Sequence, residues 1–183
     1  MNEALSVSHL VENIIESHFD VPTQAPRTCE DAASRRGIRL DQELKTLVLE
    51  GRDNLYVIHL PGNRSVVFKG LRPPGGKLQL LKREKLREYG LDSAQVNPIN
   101  VMEKIKNIAQ VFICDSVFAN PKMYTNNGRR GDTLVLATNK LPDIADAFGV
   151  PFRVGRFSKP RLNLPEASRY PRHADNPSRG TSG

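Results

Sequence analysis

The chain has 183 residues, 38% of them hydrophobic and 26% charged, which leaves room for one domain with a sizeable core. No apolar run approaches the roughly 18–20 residues of a membrane span, and residues 1–18 lack the basic-then-apolar layout of a secretory signal. Two cysteines, Cys29 and Cys114, cannot make a disulfide framework, so the simplest account is a cytoplasmic protein with free thiols; its formal net charge of +7 suits a polyanionic partner.

Val7, Leu10, Val11, Ile14 and Ile15 recur at helical spacing, which predicts an amphipathic helix over the first 18 or so residues. Residues 19–27 hold Pro22 and Pro26 and should be extended or looped. Thr28-Cys29-Glu30-Asp31 has the helix-start pattern in which a hydroxyl and a carboxylate satisfy free backbone donors. That helix should end at Gly37, a left-handed cap. Residues 45–50 and 55–60 read as strands joined by a four-residue hairpin turn, 51–54, with a third strand at 65–68. After the Pro73-Pro74-Gly75-Gly76 break, Leu78, Leu81 and Leu86 predict a helix over 77–89 that stops at Gly90. Residues 111–114 form a short apolar run closed by Asp115 and should be a buried strand, as should 133–137. Asn139 can cap a helix carrying Leu141, Ile144, Ala145 and Phe148, with Pro142 in its first turn. This order of elements predicts an α/β fold, a single domain over residues 1–155. Residues 156–183 hold few large apolar side chains and scattered arginines, and are expected to be a disordered basic tail.

The basic charge is uneven. Residues 156–183 carry +4 of the total, and residues 69–88 gather seven basic side chains against two glutamates. Both runs are either solvated faces or phosphate contacts. His9, His18, His59 and His173 share no metal-ligand spacing with each other or with the cysteines. Phosphate-cradling glycine loops, the HExxH pair and the GxSxG elbow do not occur. Neither a metal nor a cofactor is expected.

Three separated segments carry a resemblance. The first is Thr28-Cys29-Glu30-Asp31-Ala32-Ala33, then Gly37, then Leu44-Lys45-Thr46-Leu47-Val48. The second is Val96-Asn97-Pro98-Ile99; the third is residues 111–115 followed by Tyr124-Thr125-Asn126-Asn127-Gly128-Arg129-Arg130-Gly131. In this order and spacing they resemble the YbaK / prolyl-tRNA-synthetase-associated editing domains, over about residues 5–150. The resemblance implies a curved mixed sheet flanked by helices. It also implies a free-standing trans-editing deacylase, which hydrolyses the ester of a small mischarged amino acid on transfer RNA. The alternative is a catalytically impaired relative that binds tRNA or protein. Partners would be mischarged aminoacyl-tRNA and an aminoacyl-tRNA synthetase.

Lys45 matches the family's signature lysine and is the expected catalytic residue. Thr46, Gln95, Val96, Asn97, Pro98, Asn126 and Gly128 are the expected substrate contacts, with loop N–H groups around Gln95–Pro98 suited to an oxyanion. Lys77, Lys82, Arg83, Arg129 and Arg130 are the expected tRNA contacts. The chain departs from the family at Ala94-Gln95 (where glycine is usual), Asn97 (a small hydroxyl residue), Asn100 (glycine) and Asn126-Asn127 (serine and glycine). Glycine lets a backbone approach its ligand closely, so these changes bear on pocket shape and substrate identity.

Overall fold

The computed structural model describes residues 15–20, 26, 28–73, 76–128 and 132–162. In chain order its strands are β1 (Ile15–Asp20), β2 (Leu44–Glu50), β3 (Leu55–Pro61), β4 (Arg64–Val66), β5 (Gln79–Leu80), β6 (Ile108–Cys114), β7 (Lys122–Asn126), β8 (Asp132–Ala137), β9 (Phe152–Gly155) and β10 (Ser158–Pro160). The helices are α1 (Cys29–Arg36), α2 (Phe68–Leu71), α3 (Arg83–Glu88), α4 (Asn100–Lys104) and α5 (Leu141–Ala147).

The local signals at α1 work as the sequence predicts. The Thr28 hydroxyl oxygen accepts from the Asp31 N–H at 3.1 Å, Ala32 and Ala33 face the core, and Gly37 closes the helix at φ 65°. The five-stranded sheet has the order β5-β2-β3-β6-β9, antiparallel as far as β3 and parallel from β3 to β9. The chain therefore folds as a mixed α/β domain. A parallel step needs a crossover, and residues 64–107 between β3 and β6 supply it. All seven residues of β3 are buried, because β2 and β6 pair with its edges and both its faces are covered. Val57, Ile58, Leu60, Phe112 and Ile113 form the centre of the core. A second sheet, β1-β8-β7, packs beside β2 through a single bridge between Glu43 and Tyr124.

Four expectations change. The helix predicted over the first 18 residues fails at residues 15–18, where β1 pairs with β8; residues 1–14 lie outside the described residues. Phe68 opens α2 rather than ending the third strand, which is residues 64–66. The helix predicted over 77–89 is two elements, β5 and α3. Leu78 and Leu86 are both buried, as helical spacing suggested, but backbone pairing of β5 with Leu49 and Glu50 takes residues 79–80 into the sheet. The tail expected from residue 156 is structured as far as 162. Phe157 inserts into the core, packing edge-on against Phe112 with centroids 5.4 Å apart, and β10 pairs with β4. Arg153 completes this closure, its guanidinium stacked on both rings and donating to the Gly70 and Leu71 carbonyls. Residues 163–183 lie outside the described residues.

Candidate functional site

Lys45 stands on the face of β2 that also carries Leu47 and Leu49, opposite Leu60 of β3. Its stem lies along apolar surface and its ammonium donates to the Arg64 carbonyl at 2.6 Å. Burial pushes this amine below the ordinary lysine range; Cys29 and Glu30 pull it back up and Arg161 pushes it further down. Lys45 is thus a cation partly stripped of water and fixed at one bond, with two further donor positions to offer.

The neighbouring Thr46 faces the other way. Its hydroxyl meets Nδ1 of buried His59 at 3.1 Å, and burial drops that imidazole to about 3, so it stays neutral. His59 is a packed, satisfied core residue.

Beyond β2 stand two loops that three asparagines knit together. Asn97 Oδ1 accepts from the N–H groups of Ile99 and Asn100, both at 2.9 Å, and so starts α4. Asn100 returns two bonds, accepting from the Asn97 N–H at 2.9 Å and donating to the Gln95 carbonyl at 2.7 Å. Asn126, at the end of β7, donates to the Val96 carbonyl at 3.0 Å and accepts from the Gly128 N–H at 3.0 Å. Gly128 has φ 88°, and a Cβ there would sit 3.0 Å from the Asn100 amide nitrogen. Three of the positions where the chain departs from the family pattern, Asn97, Asn100 and Asn126, therefore belong to one hydrogen-bonded unit.

This network corrects the expectation of several free N–H groups in the loop. Gln95 N–H donates to the Asp92 carbonyl, Asn97 N–H is held by Asn100, and Pro98 has none. Val96 N–H alone in that stretch carries no hydrogen bond among the described residues.

A cavity of about 590 Å³ lies between β2, α1, α3 and these loops. Lys45, Thr46, Val96, Asn126, Lys82 and Arg83 all line it, together with Ala94. Gln95, Asn97, Pro98 and Gly128 do not; they build the loops behind the wall. Lys77 is exposed and does not line it, and Arg129 and Arg130 lie outside the described residues.

The cavity also contains residues that sequence reasoning missed. Arg36 and Glu43 form a buried ion pair in which Arg36 Nη1 donates to both carboxylate oxygens at 2.6 and 2.5 Å, their side chains 4% and 7% exposed. Arg36 Nε donates to Thr133 Oγ1 at 2.8 Å, which ties α1 to β8. Burial raises the Glu43 carboxyl to about 7 while the guanidinium pulls it down. The available signal was an arginine ending a helix and a glutamate immediately ahead of an apolar strand, but only the fold brings Thr133 to them. Cys29 lines the cavity as a neutral thiol, pushed by burial to about 11.

A weakly solvated ammonium, one free backbone N–H and a basic rim formed by Lys82 and Arg83 can bind an anionic chain end and polarise a carbonyl beside it. Among the described residues no helix is long and apolar enough to cross a membrane.

The sequence profile of the aminoacyl-tRNA editing domain matches residues 23–144. A proline–tRNA ligase of Thermosipho melanesiensis is 29% identical over 84 residues, which is 44% of this chain and 15% of the ligase. The chain thus spans a small part of that relative. Among solved structures, a candidate trans-editing enzyme for prolyl tRNA synthetase has a TM-score of 0.67 at 19% identity, covering 87% of this chain and 98% of that one. Hypothetical protein APE2540 has a TM-score of 0.64 at 20% identity, covering 78% and 91%. With two thirds of its length inside the profile, the chain belongs to the aminoacyl-tRNA editing domain family.

Proposed function

We propose that this protein hydrolyses the ester of a small amino acid wrongly attached to transfer RNA, acting in trans on the charged RNA. The reading rests above all on Lys45: its amine is half-buried, fixed by the Arg64 carbonyl, and opens on the cavity that Thr46, Val96, Asn126, Lys82 and Arg83 share. An aminoacyl ester is already activated, so the site needs to position it, exclude competing water and stabilise the developing oxyanion. Lys45 and the Val96 N–H are the groups with donors to spare. Lys82 and Arg83, exposed at the rim, supply phosphate contacts whose strength falls with salt. The name of the similar solved structure points the same way, toward trans editing for a prolyl-tRNA synthetase.

A second reading has its own support. Two of the loop N–H groups expected to face an oxyanion are already spent, Gln95 on the Asp92 carbonyl and Asn97 on Asn100, which fits a relative that binds charged RNA with little turnover. A panel of transfer RNAs mischarged with alanine, cysteine, serine and threonine separates the two. Release of one amino acid above the spontaneous rate supports the deacylase. Tight binding without release on any member supports the binding module.

A further inference from the structure

The bond from the Lys45 ammonium to the Arg64 carbonyl makes the amine's place depend on β4. That strand has three residues and, among the described residues, pairs with β10 alone.

Two backbone bonds show how β10 aims the carbonyl. Val67 N–H donates to the Phe157 carbonyl and Arg161 N–H donates to the Asn63 carbonyl, so residues 63 and 67 turn toward β10. Backbone direction alternates along an antiparallel strand, and Arg64 is one step out of phase with Asn63. Its carbonyl therefore points away from β10, to the side where Lys45 meets it. Pro160, which has no N–H, stands opposite Arg64, at a position where no ladder bond is needed.

Side chains brace the same segment. Arg64 Nε donates to Ser158 Oγ at 2.8 Å and Nη2 donates to the Ser158 carbonyl at 3.2 Å. Arg161 Nη1 donates to the Gly62 carbonyl at 3.1 Å and pairs with Glu30 of α1 at 2.6 Å. A Cβ on Gly62 would sit 2.9 Å from the Leu40 carbonyl and 3.1 Å from Cys29 Cβ, so the turn that leads into Arg64 is also pressed against α1. Ser158 and Arg161 do not line the cavity, and both lie past residue 144, where the match to the family profile ends.

The amine also feels charges on several elements. Burial does most to hold it below the ordinary lysine range, and Arg161 adds to that; Cys29 and Glu30 of α1 and Cys114 at the end of β6 pull it back.

We propose that Ser158 and Arg161 are positioning residues: the C-terminal strand sets the Arg64 carbonyl, and through it the place of the Lys45 amine. This rests on the reading of Lys45 as the reacting group. It puts residues outside the cavity wall in control of the chemistry inside.

NMR of the lysine ammonium groups, with the Lys45 signal assigned by its loss in Lys45→Ala, reports the amine in the full chain without RNA. Arg161→Gln and Ser158→Ala should both move that signal. Arg161→Gln should also raise the amine's pKa, because a cation leaves and Glu30 is released, and Arg161→Lys should restore both. Arg156→Gln, at a side chain 94% exposed, is the control and should change neither. Single-turnover deacylation by Arg161→Gln should fall about tenfold with RNA affinity unchanged. An unmoved Lys45 signal in folded Arg161→Gln and Ser158→Ala overturns the positioning role and leaves the deacylase reading standing. A rate that holds while the signal moves overturns it as well. Signals that move in a protein whose wild type cleaves no mischarged RNA support the positioning role and overturn the deacylase reading.

Discussion

The two walls of the cavity are held by different forces. The β2 wall is a sheet strand whose inner neighbours are fully buried, so its shape follows from apolar burial and a seven-residue ladder with β3. The facing wall is two loops whose shape follows from a few directed bonds of Asn97, Asn100 and Asn126. The first is set by many cooperative contacts and changes only with the whole fold; the second is set by single bonds and can be retuned one residue at a time. Under the proposed deacylase reading, that division would let the site keep its chemistry while adjusting which acyl group it admits.

The comparison can be broken first at the β2 side. Replacing Glu43 with alanine strands the Arg36 guanidinium in a nearly closed site and should cost about 3–5 kcal/mol. Leu49→Ala, at a position with no exposure, should cost about 2–5 kcal/mol. Denaturant midpoints measure both, and activity should fall only as the folded fraction falls. On the loop side, Asn126→Ala removes two bonds and should cost about 1–3 kcal/mol. Its effect on turnover or amino-acid preference should exceed its effect on stability, because Val96 then loses its fixed place. Stability losses of the same size and activity losses in step for both walls would erase the distinction.

The smallest expected effect comes from pH. His59 has its folded pKa depressed to about 3 from 6.5, so the unfolded chain binds more protons between those values. Stability from this group is present above pH 6.5 and declines as pH falls toward 3. Glu43, raised to about 7 from 4.5, slopes the opposite way between those values. The difference between wild type and His59→Gln isolates the histidine: the gap between them should narrow on acidification from pH 6.5 to 4.5. A gap that stays constant would contradict a neutral, buried ring.

What the sequence made legible follows the same line. Thr28, Gly37 and the 51–54 turn act through contacts a few residues apart, so α1 and the β2–β3 hairpin were readable from local pattern. Lys45 is singled out by its motif, and the fold sets it on the cavity wall. Leu78, Leu81 and Leu86 misled because helical spacing is blind to an open strand edge that captures Gln79 and Leu80. β1 escaped because its partner β8 is more than a hundred residues away. Phe157 and β10 escaped because one aromatic side chain in a proline-rich stretch has no period to detect. The motif singles out Asn97 as a substrate contact; its side chain is buried and accepts from the N–H groups of Ile99 and Asn100, a role that only the folded loop discloses. The Arg36–Glu43–Thr133 contact depends on three distant segments meeting, and no spacing rule announces it.

The central claim is that the half-buried Lys45 amine drives hydrolysis at this cavity. Single-turnover deacylation of the mischarged transfer RNA that wild type cleaves fastest, repeated with Lys45→Ala and paired with an RNA-binding measurement, tests it most directly. The rate should fall at least about a hundredfold while RNA affinity is retained. A Lys45→Ala protein that cleaves at the wild-type rate would contradict the account.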